Sequence, residues 1–220
     1  MDVYEALYTT RAMRRVKPDP IPADVQKKIL DAAIRAPSGG NAQSWRFMLV
    51  DDPDLKAELG PVYRACLSSL WETIYKPQVD AAAQAPDAAD SKSFLKMQRS
   101  AVWLADHFEA YPLLLFAFSQ FDNTGGSIFP SVWSAMLAAR AEGVGSALTS
   151  VMMFQADKTL EILGVPKGQG WNFSCCVTFG YPTGRWGVAP RNAVENVCYR
   201  NGWGRPVGFE IPEPLWPGSR

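Results

Sequence analysis

The strongest constraint on the fold is the run Leu113-Leu114-Leu115-Phe116-Ala117-Phe118, which has no polar position and is entered through Tyr111-Pro112. Side chains of a strand alternate between its faces, so a strand that is apolar throughout has no solvent face and must be buried on both sides. Other strand patterns cover Trp45 to Val50 and residues 171–180, the latter stopped by Tyr181-Pro182. Helical spacing fills much of the remainder. Val25, Ile29, Ala32, Ala33 and Ala36 mark a helix that ends at Pro37, and Phe94, Ala101, Val102, Ala105 and Phe108 mark another. Residues 130–142 carry Val132, Trp133, Met136, Leu137 and alanines nearly all round, which predicts a central buried helix ended by Gly143. A short helix over 157–163 is closed by Gly164 and Pro166. Asp52-Pro53 starts a helix that Gly60 stops, with Val62, Cys66, Leu70 and Ile74 in a second one. Residues 77–93, rich in Ala, Asp, Gln and Pro, read as a mobile loop or lid, or else as an exposed spacer.

Composition excludes several classes of function. Lys and Arg (22) balance Asp and Glu (22), so no net basic field favours nucleic acid or an anionic membrane surface. The apolar runs fall far short of the roughly 20 residues that span a bilayer. Met1-Asp2 opens into an acidic, amphipathic helix rather than a signal peptide, which predicts a cytoplasmic protein. Cys66, Cys175, Cys176 and Cys198 have no CxxC spacing and read as free buried thiols, with Cys175 and Cys176 on opposite faces of their strand. The single histidine, His107, rules out a His-rich metal site and reads as a surface or helix-end residue. There is no GxSxG elbow, and the His107-Phe108-Glu109 of a zinc deaminase lacks its PCxxC. The Gly-rich run 143–150 lacks the third glycine of a dinucleotide fingerprint and follows a helix rather than a strand.

Two stretches remain. In Pro37-Ser38-Gly39-Gly40-Asn41-Ala42-Gln43-Ser44 a helix stops and a strand follows. The glycines free amide N–H groups to point outwards, and Asn41 and Gln43 add side-chain donors and acceptors. This is either a cradle for a planar, polar-edged ligand or an ordinary turn. Arg11-Ala12-Met13-Arg14-Arg15 places three arginines in five residues. If the segment is extended, Arg11, Met13 and Arg15 share a face. Two guanidinium forks about 13 Å apart at most would then converge on one phosphate; the alternative is a solvated basic patch.

Taken with Lys17-Pro18-Asp19-Pro20-Ile21-Pro22, the Gly143-Val144-Gly145-Ser146 turn and a late Pro190-Arg191, these stretches resemble the FMN-dependent nitroreductase family, in order, over residues 1 to about 200. The resemblance implies an α+β, nitroreductase-like fold with a central, mainly antiparallel sheet flanked by helices. It also implies an intertwined homodimer with exchanged C-terminal arms and FMN at the subunit interface. Residues 1–200 would form one FMN-binding domain, and 201–220, where proline alternates with apolar residues from Phe209, an arm on the partner. Carried over by position, Arg11, Ala12, Met13, Arg15 and Arg191 look like the phosphate-binding set. Pro37, Ser38, Gly39, Gly40, Asn41 and Gln43 look like the loop at the flavin edge and ribityl chain, often supplied by the partner. Leu148, Thr149 and Ser150 look like the residues that offer a backbone N–H to flavin N5 and pack against the ring. Ala12 and Met13 replace a basic residue and a Ser found in many members, which implies fewer charge-assisted bonds to the phosphate. Arg64 and Arg140 are the candidates for the pyrimidine edge of the ring. The activity implied is hydride transfer from NAD(P)H to a nitroaromatic, quinone or similar electron-poor acceptor by a ping-pong mechanism. Enone reduction, reductive dehalogenation and breakdown of the flavin itself are alternatives on the same scaffold, as is flavin binding without turnover.

Overall fold

The computed structural model describes residues 1–212, 215 and 216. Four strands, β1 (Trp45–Val50), β2 (Leu113–Ser119), β3 (Gly145–Thr149) and β4 (Asn172–Gly180), form one antiparallel sheet in the order β1-β2-β4-β3. Helices cover both faces, as the all-apolar β2 requires. Leu114, Phe116, Phe118 and Cys176 face one core, with α3 (Pro53–Glu72), α5 (Ala89–Asp106) and the Phe108–Ala110 turn. Leu113, Leu115, Ala117 and Cys175 face the other, with α2 (Ala23–Ala33) and α6 (Ile128–Ala141). The neighbouring cysteines therefore belong to different cores, as their alternation predicts. Burial pushes the Cys175 thiol up to about 12 and Cys176 well above its usual range, so neither is a ready thiolate.

Short-range signals placed many boundaries. Asp2 caps α1 (Val3–Thr9) by accepting from Glu5 N at 2.7 Å. Gly143, at φ 75°, ends α6 in a Schellman motif, with Val144 N bonded to Ala139 O at 2.8 Å and Gly143 N to Arg140 O at 3.1 Å. His107 is a helix-end residue, as expected, and stacks on Trp103. Among the described residues no helix is long and apolar enough to cross a membrane, and no cluster of His, Cys, Asp and Glu fits a metal.

Four expectations need correction. Gly60 and Pro61 do not end a helix, because α3 runs unbroken to Glu72. An internal Pro costs about 3 kcal/mol, but burying Leu59, Val62, Tyr63, Cys66 and Leu67 at roughly 1.5 to 3 kcal/mol each outweighs it. Gly60 serves close packing instead, since a Cβ there would lie 1.9 Å from Glu109 Oε1. Residues 77–93 are mostly helical, with α4 (Lys76–Gln84) and the start of α5 joined by a short link. The alanines hold helix well, and Pro77 sits in the first turn where its missing N–H does no harm. The Gly-rich run after Gly143 is strand β3 rather than a turn. Finally, α6 is buried toward α1, α2 and the sheet but not all round, leaving Phe129 (40%) and Trp133 (37%) exposed on its outer side.

Gly145 and Gly180, opposite each other in the β3–β4 ladder, allow the chain at residues 13–16 to lie against the sheet. A Cβ on Gly180 would lie 2.6 Å from Val16 Cβ, an atom that cannot move without its backbone. Gly180→Ala should therefore cost about 1 to 3 kcal/mol of stability, as overpacking does. Denaturant unfolding measures this, and an unchanged midpoint would mean the segment is not clamped there.

Candidate functional site

Residues 11–17 leave α1 and lie between the free edge of β3 and the chain that follows β4. Met13 N donates to Ser146 O at 2.9 Å, Lys17 N to Tyr181 O at 2.8 Å, and Thr183 N to Arg15 O at 3.1 Å. Only isolated bridges at Ala12 and Val16 hold the segment, not a continuous ladder, so regular alternation fails. Met13 is buried while Arg11 and Arg15 are exposed. With its N–H given to Ser146 and its side chain turned inward, Met13 anchors the segment. Arg11 Nη2 donates to Arg185 O at 3.1 Å, and the Arg15 guanidinium lies 5.6 Å from the Trp103 ring centre. Arg14 is tied to α5 through Ser100 Oγ at 3.3 Å, and its carbonyl accepts from the Tyr111 hydroxyl. Among the described residues none of these arginines is paired with a carboxylate.

Along β3 from this point stand Leu148 and Ser150, both exposed, and Thr149, half-buried. Thr149 Oγ1 accepts from Val151 N at 3.4 Å and lies 3.2 Å from the hydroxyl of Tyr63 on α3. Burial pushes that hydroxyl up to about 12, so it keeps its proton at neutral pH. Arg191 is exposed and lines a groove of about 590 Å³ with Leu7 and Tyr8 of α1, Val194 and Ile211. The tail lies on α1 of its own chain, where Leu215 N donates to the Tyr8 hydroxyl at 3.2 Å and the Trp216 ring packs on Tyr8 at 5.9 Å. The rest of the expected arm, residues 213, 214 and 217–220, lies outside the described residues.

The glycine loop is elsewhere. Trp45 pairs with Ser119, and Ser119 with Asn172, so residues 37–43 enter the sheet at the Asn172 end of β1. The arginine segment sits at the Gly180 end beside β3. β1 and β3 are opposite edges, three strand spacings or roughly 14 Å apart, and β4 is about 26 Å long. The two stretches thus occupy diagonally opposite corners and do not meet within one chain.

The loop is held in an unusual shape. Gly40, Asn41 and Gln43 have φ of 58°, 54° and 51°. Ser38 Oγ accepts from Gln43 N at 3.1 Å, and Ser127 Oγ accepts from Gly39 N at 3.3 Å. Glycine takes this region freely and Asn tolerates it, but Gln43 is strained there. A Cβ on Gly39 or Gly40 would meet nothing within 4 Å, so the loop faces open space.

Of the two candidate ring-edge arginines, Arg64 is paired with Glu109 at 2.8 Å. Arg140 is buried, donates to Thr9 Oγ1 at 2.8 Å, reaches Glu5 at 3.5 Å and lies 4.0 Å over the Trp186 ring. Both are engaged in holding the chain together. Tyr63 and Tyr111, which grip the two stretches of the β3 edge, gave no signal in the sequence. Their partners lie 86 and 97 residues away.

This fold, a four-stranded antiparallel sheet between helical layers, is the nitroreductase fold. The model of the Nitroreductase family matches residues 7–181, and the chain belongs to that family. It is 28% identical over 192 residues to 5,6-dimethylbenzimidazole synthase of Rhodobacter capsulatus, covering 81% of this chain and 82% of that one. It is 30% identical over 148 residues to iodotyrosine deiodinase of Thermotoga neapolitana, covering 66% of this chain and 71% of the relative. A solved structure of oxidised iodotyrosine deiodinase bound to FMN and 3-iodo-L-tyrosine superposes with a TM-score of 0.71 at 24% identity, over 91% of this chain and 99% of that one.

Strain in the loop makes a prediction. Gln43→Gly should leave unfolding free energy unchanged or raise it by up to about 1 kcal/mol, because relief of the left-handed cost offsets the added chain entropy. Calorimetry would measure it, and a loss well above 1 kcal/mol would show that the Gln43 side chain, not its backbone angle, is what matters.

Proposed function

We propose that this protein is an FMN-dependent oxidoreductase that takes a hydride from NAD(P)H and reduces a nitroaromatic, quinone or similar electron-poor acceptor in a ping-pong cycle. Each FMN would be held between two copies of the chain. The observation that carries this reading is the β3 edge, where Arg11 and Arg15 have no carboxylate partner among the described residues and stand beside the exposed Leu148 and Ser150. Unneutralised guanidinium groups suit a phosphate, and the open glycine loop suits the edge of a flat ring. Because loop and arginines occupy opposite corners of one sheet, a second copy is needed to bring 37–41 and Gln43 to the arginines. The exposed Phe129 and Trp133 of α6 supply apolar surface for it.

In this arrangement Arg11 and Arg15 hold the phosphate, with Arg191 arriving from the groove beside α1. Ala12 contributes backbone, and Met13 keeps the segment on the sheet. Leu148, Thr149 and Ser150 meet the ring. Bound FMN supplies the redox chemistry, accepting two electrons from the nicotinamide and passing them to the acceptor. No side-chain nucleophile is required, which agrees with the buried, protonated thiols.

A second reading on the same site is reductive dehalogenation of a halogenated phenol. It is favoured by the 30% identity to a deiodinase and by the cluster of Trp71, Tyr75 and Phe94 on α3 and α5 and the short link between α3 and α4, with ring centres 5.4 to 6.1 Å apart. Turnover against a panel of nitroaromatics, quinones and iodophenols, with NADH and with NADPH, separates the two.

The purified protein should be yellow or take up added FMN, and NAD(P)H should bleach it under anaerobic conditions. Colourless protein that takes up no FMN would overturn the reading. Arg11→Ala or Arg15→Ala should each weaken FMN binding by roughly ten- to 150-fold, the equivalent of about 1.5 to 3 kcal/mol for a charge-assisted bond. Equilibrium titration of the apoprotein measures this, and unchanged affinity in both variants would place the phosphate elsewhere.

A further inference from the structure

The end of β3 is held by a residue from a distant helix, and hydrogen-bond inventory fixes which way its protons run. Thr149 Oγ1 already accepts from Val151 N at 3.4 Å. The Tyr63 oxygen is 3.2 Å from the same atom, and among the described residues this is the only hydrogen bond of the Tyr63 hydroxyl. Either oxygen can donate, but the two choices differ in what they leave over. Tyr63 is 3% exposed, its ring stacked on Phe108 at 4.6 Å. If Thr149 donated, the Tyr63 proton would be left without an acceptor on a side chain that is 3% exposed, a cost of about 1 to 3 kcal/mol. If Tyr63 donates, both lone pairs of Thr149 Oγ1 are filled, and the proton left over belongs to half-buried Thr149 at the open strand end. Burial therefore selects Tyr63 as donor and leaves the Thr149 hydroxyl as a donor for a ligand.

We propose that Tyr63 is a positioning residue of the flavin site, acting through Thr149 to hold the 149–151 turn and to keep the Thr149 hydroxyl in the donor role. The inference rests on the flavin reading above, in which this strand end meets the ring. A fixed donor beside a ring that becomes anionic on reduction binds the reduced form more tightly than the oxidised one, so it raises the midpoint potential. Tyr63→Phe keeps the ring stacked on Phe108 and removes the hydroxyl that donates to Thr149. Thr149 is then free to turn its own proton elsewhere.

The test is the midpoint potential of bound FMN in the holoprotein, for wild type, Tyr63→Phe, Thr149→Val and the double variant. Tyr63→Phe should lower the preference for reduced over oxidised FMN about fivefold, which is about 20 mV for a two-electron couple. The same substitution should have no further effect in the Thr149→Val background, a coupling that a merely structural role would not produce. An unchanged potential in Tyr63→Phe, or an equal shift with and without the Thr149 hydroxyl, would overturn the proposal. Hydrogen exchange at the Val151 amide gives a reading that needs no flavin: it should speed up in Tyr63→Phe, and unchanged exchange would count against the proposal. A wild-type protein that takes up no FMN would overturn the flavin reading, while the exchange measurement would still decide whether Tyr63 holds this turn.

Discussion

The structure depends on how the free edge of β3 is occupied. A strand edge has unpaired N–H and C=O groups, and here the chain at residues 11–17 satisfies some of them without forming a fifth strand. Two glycines make the approach possible, and Met13 locks it by packing on Gly145. The bonds are few and irregular, so the segment follows no strict alternation and can present Arg11 and Arg15 to solvent while burying the methionine between them. A regular strand would have turned all three to the same side.

That one arrangement determines the rest of the proposed site. The arginines are fixed to the sheet by backbone, from below by α5 through Ser100 and Trp103, and by the Tyr111 hydroxyl at the Arg14 carbonyl. Farther along the same strand, Tyr63 from α3 holds Thr149. The continuity of α3 past Gly60 and Pro61 therefore matters for the proposed site, because a helix ending at Gly60 would not carry Tyr63 to the strand end. Fold and chemistry meet in these long-range contacts, while the strained loop that faces open space stands at the opposite corner.

Local patterns in the sequence were enough to place β1, β2, β4, α2, α6 and α7 (Ala156–Ile162), as well as the caps at Asp2, Gly143 and Gly164 and the opposed faces of Cys175 and Cys176. Each of these rests on periodicity or on the backbone preference of a single residue. The misjudged regions are those where two local preferences conflict. Gly60-Pro61 reads as a stop until the apolar face on both sides of it is weighed, and residues 77–93 read as loop because prolines and aspartates distract from the alanines. β3 was hidden by Gly143, which ends α6, and by Gly145, which gives clearance to Met13 more than 120 residues away. The arginines and the glycine loop were visible as candidates, but their diagonal separation, the inward turn of Met13 and the internal work of Arg140 follow only from tertiary contacts.

The central claim is that one flavin site is built from two chains. Subunit mixing tests it directly. Arg11→Ala damages the arginine side, and a Gly40→Val substitution at φ 58° damages the loop side. If the site is shared, each variant alone binds FMN poorly, while mixed and re-equilibrated chains regain up to one intact site in each heterodimer, seen as FMN uptake above the sum of the two alone. If uptake by the mixture equals that sum, the arginines and the loop do not serve a common site across two chains.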